Sequence, residues 1–132
     1  MQDLELTWES YEFHSSQIID LENNLILKVS EAQLFLENNS EKEFDEASYR
    51  FERVNILNTI IDLSNKLILS YKKQCNLLSE IMEIQKDFSS RGLEIPPERE
   101  VSVGLLEKLK LETFNLIEGM KEQKEELRNI LS

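Results

Sequence analysis

One histidine, His14, and one cysteine, Cys75, are all the imidazole and thiol that this chain can bring to chemistry. Zinc sites draw three or four ligands from Cys, His and carboxylates, and di-iron bundle sites need Glu-x-x-His pairs on facing helices. Neither pattern occurs, so His14 reads as a surface residue and Cys75 as a buried, reduced thiol. A serine nucleophile needs an imidazole opposite it, whereas Ser15 and Ser16 follow His14 along one helix and do not face it. There is no glycine-rich phosphate loop. Carboxylates in pairs abound, but on a charged helical surface they are ordinarily solvated. No catalytic, cofactor-binding or metal-ligating residue is therefore expected, and the chain is not expected to be an enzyme.

What is left is recognition through helices, and the composition says which elements must provide it. Three glycines and two prolines in 132 residues leave few places for turns, which points to an all-α fold. A chain 40% apolar and 31% charged is neither disordered nor a membrane protein, and no apolar run approaches the roughly 20 residues that cross a bilayer. The start Met1-Gln2-Asp3 lacks the basic residues of a secretory signal, so an intracellular protein, cytoplasmic or nuclear, is expected.

The punctuation marks out a single helical domain of three helices. The first is expected from about Asp3 to Asn38, ending at the turn-prone pair Asn38-Asn39. Ser40-Glu41-Lys42-Glu43 has the form of a capping box and opens a second helix that runs to Arg91, where Gly92 can take the left-handed conformation that closes it. A connector over 92–97 leads to a third helix from Glu98 to the C-terminus, with Pro97 in its first turn and Gly104 and Gly119 as tolerated weak points.

Heptad stripes show which faces must be covered. In the first helix Leu4, Trp8, Tyr11, Ser15, Ile18, Glu22, Leu25, Val29, Ala32 and Leu36 alternate spacings of four and three. The second helix carries one stripe from Phe44 through Phe51, Val54, Leu57, Ile61, Ser64, Ile68, Tyr71 and Cys75 to Leu78, and another from Ile60 through Leu67, Gln74, Leu77, Ile81 and Ile84 to Phe88. One helix with two stripes needs two neighbours. The third helix offers Leu106, Leu109, Thr113, Leu116, Met120, Gln123, Leu127 and Ile130, widened by Val103, Phe114 and Ile117.

Short connections make the neighbours antiparallel, so the expected architecture is an elongated three-helix antiparallel bundle or coiled coil with a long central helix and staggered outer helices. Counting back from a turn at Asn38-Asn39 puts Trp8 level with Tyr71 and near Ile117, in the zone Leu57–Leu77 where all three helices coincide. Two-helix arms with half-covered seams are left at Leu25–Leu57 and at Leu78–Leu109. Such arms call for a partner.

The charge suggests what kind. The net charge is −11, and residues 1–38 hold eight acids against the single base Lys28. That disfavours direct nucleic-acid binding and docking on anionic lipid, and leaves a solvated face or a basic protein partner. Asp3, Glu5, Glu9 and Glu12 are the candidate docking acids, and Trp8, Tyr11, Phe44, Phe51 and Phe88 the candidate apolar anchors. No membrane insertion and no cofactor are expected; helical protein partners are, and a homo-oligomer stays open.

Long three-helix units with aromatic residues in the first and third helices resemble spectrin repeats, with Trp8 and Phe114 at those places, although the second helix is too long for one repeat. No family is assigned on that basis. The expected function is a non-enzymatic scaffold or interaction subunit that assembles with other helical or coiled-coil proteins. By architecture alone it has the general look of small cytoskeletal, kinetochore or tethering-complex subunits. The alternative is a small acidic helical chaperone or adaptor that holds a partner segment, as in export systems.

Overall fold

A computed structural model describes residues 3–39 and 46–131. Its three helices are α1, Leu4–Asn39, α2, Glu46–Ser90, and α3, Val103–Leu131, and they pack as an all-α three-helix bundle. At 1.5 Å per residue the 45-residue α2 is about 68 Å long. Both α1 and α3 bring their backbones close along α2 but not along each other, so α2 is the central element.

Local chemistry accounts for the ends. Asp3 caps α1: its Oδ1 accepts from the Glu5 N–H at 2.9 Å and its carbonyl from the Thr7 N–H at 3.1 Å. Gly92, at φ 68°, ends α2 in a Schellman arrangement, with the Leu93 N–H on the Phe88 carbonyl (2.9 Å) and the Gly92 N–H on that of Ser89 (3.2 Å). The proposed capping box at Ser40–Glu43 and the aromatic Phe44 lie outside the described residues.

The third helix starts later than the sequence suggests. Pro97–Arg99 forms a separate 3-10 turn, and α3 opens at Val103 rather than Glu98. The reason is Ser102, whose Oγ accepts from the Leu105 N–H at 3.2 Å and whose carbonyl accepts from Leu106 at 3.1 Å. The longer connector lays Ile95 and Val101 against the core.

The register of α1 on α2 also differs. The Tyr71 hydroxyl donates to Glu22 Oε1 at 2.9 Å, and the Gln74 amide donates to Ser15 Oγ at 2.7 Å. These pairs set α1 about ten to fourteen residues, three to four turns, further along α2 than a turn at Asn38-Asn39 would. Both asparagines are still helical in α1. Trp8 consequently packs with Leu4, Leu78, Ile81, Ile84 and Leu106, not with Tyr71 and Ile117. Tyr71 and Ile117 belong to a second cluster with Ile18, Leu67 and Ile68.

This shift removes one of the two expected arms. The seam Leu78–Leu109 is covered by the first turns of α1, and Leu78, Ile81 and Leu106 are fully buried. At the other end Leu25 packs with Ile117 and Met120, so only the last turns of α1 and the first turns of α2 run past the end of α3. Two seam assignments change with it. Phe51 is 67% exposed, because apolar residues at Phe51, Val54 and Leu57 are spaced three and three, which breaks the heptad phase. On α3, Leu116 points outward and Ile117 takes the core position, leaving Gln123 and Phe114 exposed too. Phe114 is therefore not the core aromatic that a spectrin-like unit has.

Candidate interaction site

Ser15, His14 and Cys75 each sit in structural surroundings. The Ser15 hydroxyl donates to the Tyr11 carbonyl at 2.9 Å and accepts from Gln74, so it is committed to structure. His14 is half-buried beside the Phe13 ring, edge to face with centroids 5.6 Å apart. The Cys75 thiol is half-buried, its Sγ 3.8 Å from the Lys110 carbonyl, and burial pushes its pKa up, which keeps it a thiol. Among the described residues no group of three or more His, Cys, Asp or Glu could hold a metal, and no helix is long and apolar enough to cross a membrane.

Beside the last turns of α3 a groove of about 500 Å³ opens between α1 and α2. Leu25, Val29, Ala32 and Phe35 of α1 form one wall, Ile56, Leu57 and Ile60 of α2 another, and Gln123, Glu126 and Leu127 of α3 line it as well. Arg53 and Gln33 supply polar groups at its edge. Toward the hairpin turn the walls are held together by Phe35 stacked on Tyr49, centroids 5.4 Å apart. Walled by apolar helix faces and open to solvent, the groove suits the apolar face of a further helix. It offers few convergent polar groups of the kind that orient a small ligand.

The polar seam residues have distinct duties. Ser15 and Glu22 make the interhelical bonds given above, which fix the register of α1 on α2. Burial, and then the hydrogen bond to Glu22, raise the Tyr71 pKa, so its hydroxyl stays protonated and donating. Buried Ser64 bonds back to the Ile60 carbonyl at 2.9 Å, and Gln123 sits at the mouth of the groove.

The residues singled out in the sequence fall into separate groups. Trp8 is core, with Tyr11 edge-on to it at 5.7 Å and Phe88 half-buried against the same cluster. Asp3 is a helix cap. Glu5 and Glu12 are engaged by a residue that sequence reading missed: Arg99 of the connector reaches Glu5 at 2.6 Å, bonds Glu12 as well, and places its guanidinium 5.8 Å from the centre of the Trp8 ring. Only Glu9 of the four acids is exposed without a partner among the described residues. Nothing in the spacing signals the Arg99 clamp, since its partners lie 94 and 87 residues away.

The clamp gives a pH dependence with a defined sign. The hydrogen bond from Arg99 holds the Glu5 carboxyl below the usual carboxylate range. Its contribution is therefore present in full above the unfolded carboxylate pKa of about 4.3, and is lost as pH falls through the lowered value. An acid titration followed by Trp8 fluorescence should show a transition that Arg99→Gln lacks, with helical circular dichroism little changed. A transition of equal size in Arg99→Gln would assign it to other carboxylates. Because the Glu5 carboxylate is open to solvent, the stability involved is small.

Comparison with known proteins finds no family model that matches the chain, no curated protein similar to it and no solved structure similar to it.

Proposed function

We propose that this chain is a non-enzymatic helical interaction subunit of an intracellular complex, and that the α1–α2 arm receives a helix from another protein. The observation that carries this reading is the apolar groove between Leu25–Phe35 and Ile56–Ile60. The groove exposes apolar seams of α1 and α2 to water, and an added amphipathic helix would cover them. The contribution of such a helix comes from burying its own apolar face against Val29, Ile56 and Leu57, with Arg53 and Glu126 at the rim to fix its orientation.

The test uses the full chain in its native cell. Affinity purification followed by cross-linking should return a stoichiometric partner whose cross-links fall on the arm. Val29→Asp together with Ile56→Asp should release that partner and leave the helical content of the chain unchanged. Retention of the partner by the double variant would refute the arm as the docking site.

A further inference from the structure

The outer face of α1 is a second apolar surface, separate from the groove. Leu6, Phe13, Leu27 and Leu34 stand in one row at heptad spacing on the side opposite the core, and each is more than half exposed. Asp20 occupies the one remaining place in that row. A parallel row of Ile19 and Ile26, also more than half exposed, runs alongside, and the small polar residues Ser16, Asn23 and Ser30 lie between the two. Small residues between two apolar ridges make a trough into which the ridge of another helix fits. A helix apolar on its outer side as well as its core side is one that is covered on both.

The charge on this face identifies what covers it. Glu9 and Asp20 are exposed without a partner among the described residues, and the face itself carries no Lys or Arg. The only base of α1, Lys28, is paired with Glu31 at 3.1 Å on the flank. Lys66 of α2 borders the edge formed by Gln17, Asp20 and Leu21 and makes no ion pair with Asp20. A second copy, itself at −11, would bring acids onto acids. An anionic membrane would be repelled in the same way. We infer that the outer face of α1 docks a basic amphipathic helix of another protein, with its apolar stripe along Phe13 and Leu27 and its Lys or Arg residues toward Glu9 and Asp20.

The test measures binding of a fluorescent synthetic amphipathic peptide of about eight helical turns, with leucine in its apolar stripe and lysine on the flanks. Its counterpart with glutamate in place of lysine is the control. The lysine peptide should bind the full chain, more weakly as salt is raised, and the glutamate peptide should not. Phe13→Ser with Leu27→Ser should weaken binding at least tenfold, and Glu9→Gln with Asp20→Asn should flatten the salt dependence. Both pairs are exposed, so circular dichroism should be unchanged. Val29→Asp, in the arm groove, should leave this affinity as it is. Equal binding of the two peptides would overturn the inference, as would indifference to the Phe13 and Leu27 changes. So would loss of binding in Val29→Asp, which would place the peptide in the groove instead. Self-association of the pure chain that the Phe13 and Leu27 changes abolish would assign the face to a second copy, and binding to anionic vesicles through it would assign it to membrane; either refutes the basic helix.

Discussion

Trp8→Ala is expected to destabilise the bundle by about 3–5 kcal/mol, read as a lower urea midpoint at unchanged slope. The indole is 8% exposed and sits among Leu4, Leu78, Ile81, Ile84 and Leu106, drawn from all three helices. Removing it empties a space that no neighbour can fill without moving two helices. Its Nε1–H is buried with no acceptor, so part of the indole's contribution is already offset by an unmade hydrogen bond. Trp8→Phe therefore loses less, about 1.5 kcal/mol or under. Should Trp8→Ala unfold at the wild-type midpoint, the cluster is not the core of that end of the rod.

Leu78→Ala is the second large effect, at about 2–5 kcal/mol, against a change within about 0.5 kcal/mol for Phe51→Ala. The contrast tests the register directly. Leu78 is 0% exposed because the N-terminal turns of α1 reach it, whereas Phe51, the larger side chain, lies out of phase and in water. With α1 drawn back by three to four turns, Leu78 would lie in a half-covered arm and its loss would be mild. Equal effects at the two positions would restore that shorter overlap.

Much of the fold could be read from residue types alone where one residue permits one conformation. Gly92 is such a case, because a positive φ after a helix suits little else. The double stripe on α2 is another: Ile60, Leu67, Gln74, Ile81 and Ile84 are buried as a second seam demands. Failures arise where the pattern is degenerate. Leu116 and Ile117 are adjacent and both apolar, so helical periodicity cannot choose between them; the phase set by Leu106 and Thr113 puts Ile117 inside. Asn38-Asn39 can turn a chain, yet both are helical, and that local ambiguity moved α1 by three to four turns. Of the site, apolar Leu25, Val29 and Leu57 were legible as seam residues, but not that α3 reaches alongside them, since Leu25 packs with Ile117 and Met120. The Arg99 clamp was not, since an ion pair between distant segments has no periodicity.

Because α1 and α3 share α2 without close backbones between them, the chain is two hairpins with one helix in common. Its close backbone contacts join elements adjacent in sequence, a topology that folds fast and can open piecemeal. If α3 alone lifted from α2, α1 would stay in place through Tyr71–Glu22 and Gln74–Ser15. The α2 stripe that carries Ile68 and Cys75 would then be bared, and the short groove at the arm would lengthen into a trough along α2. The free energy of that opening is set by the α2–α3 seam and the Trp8 cluster, so a partner helix longer than the groove would compete with α3 for a single lane.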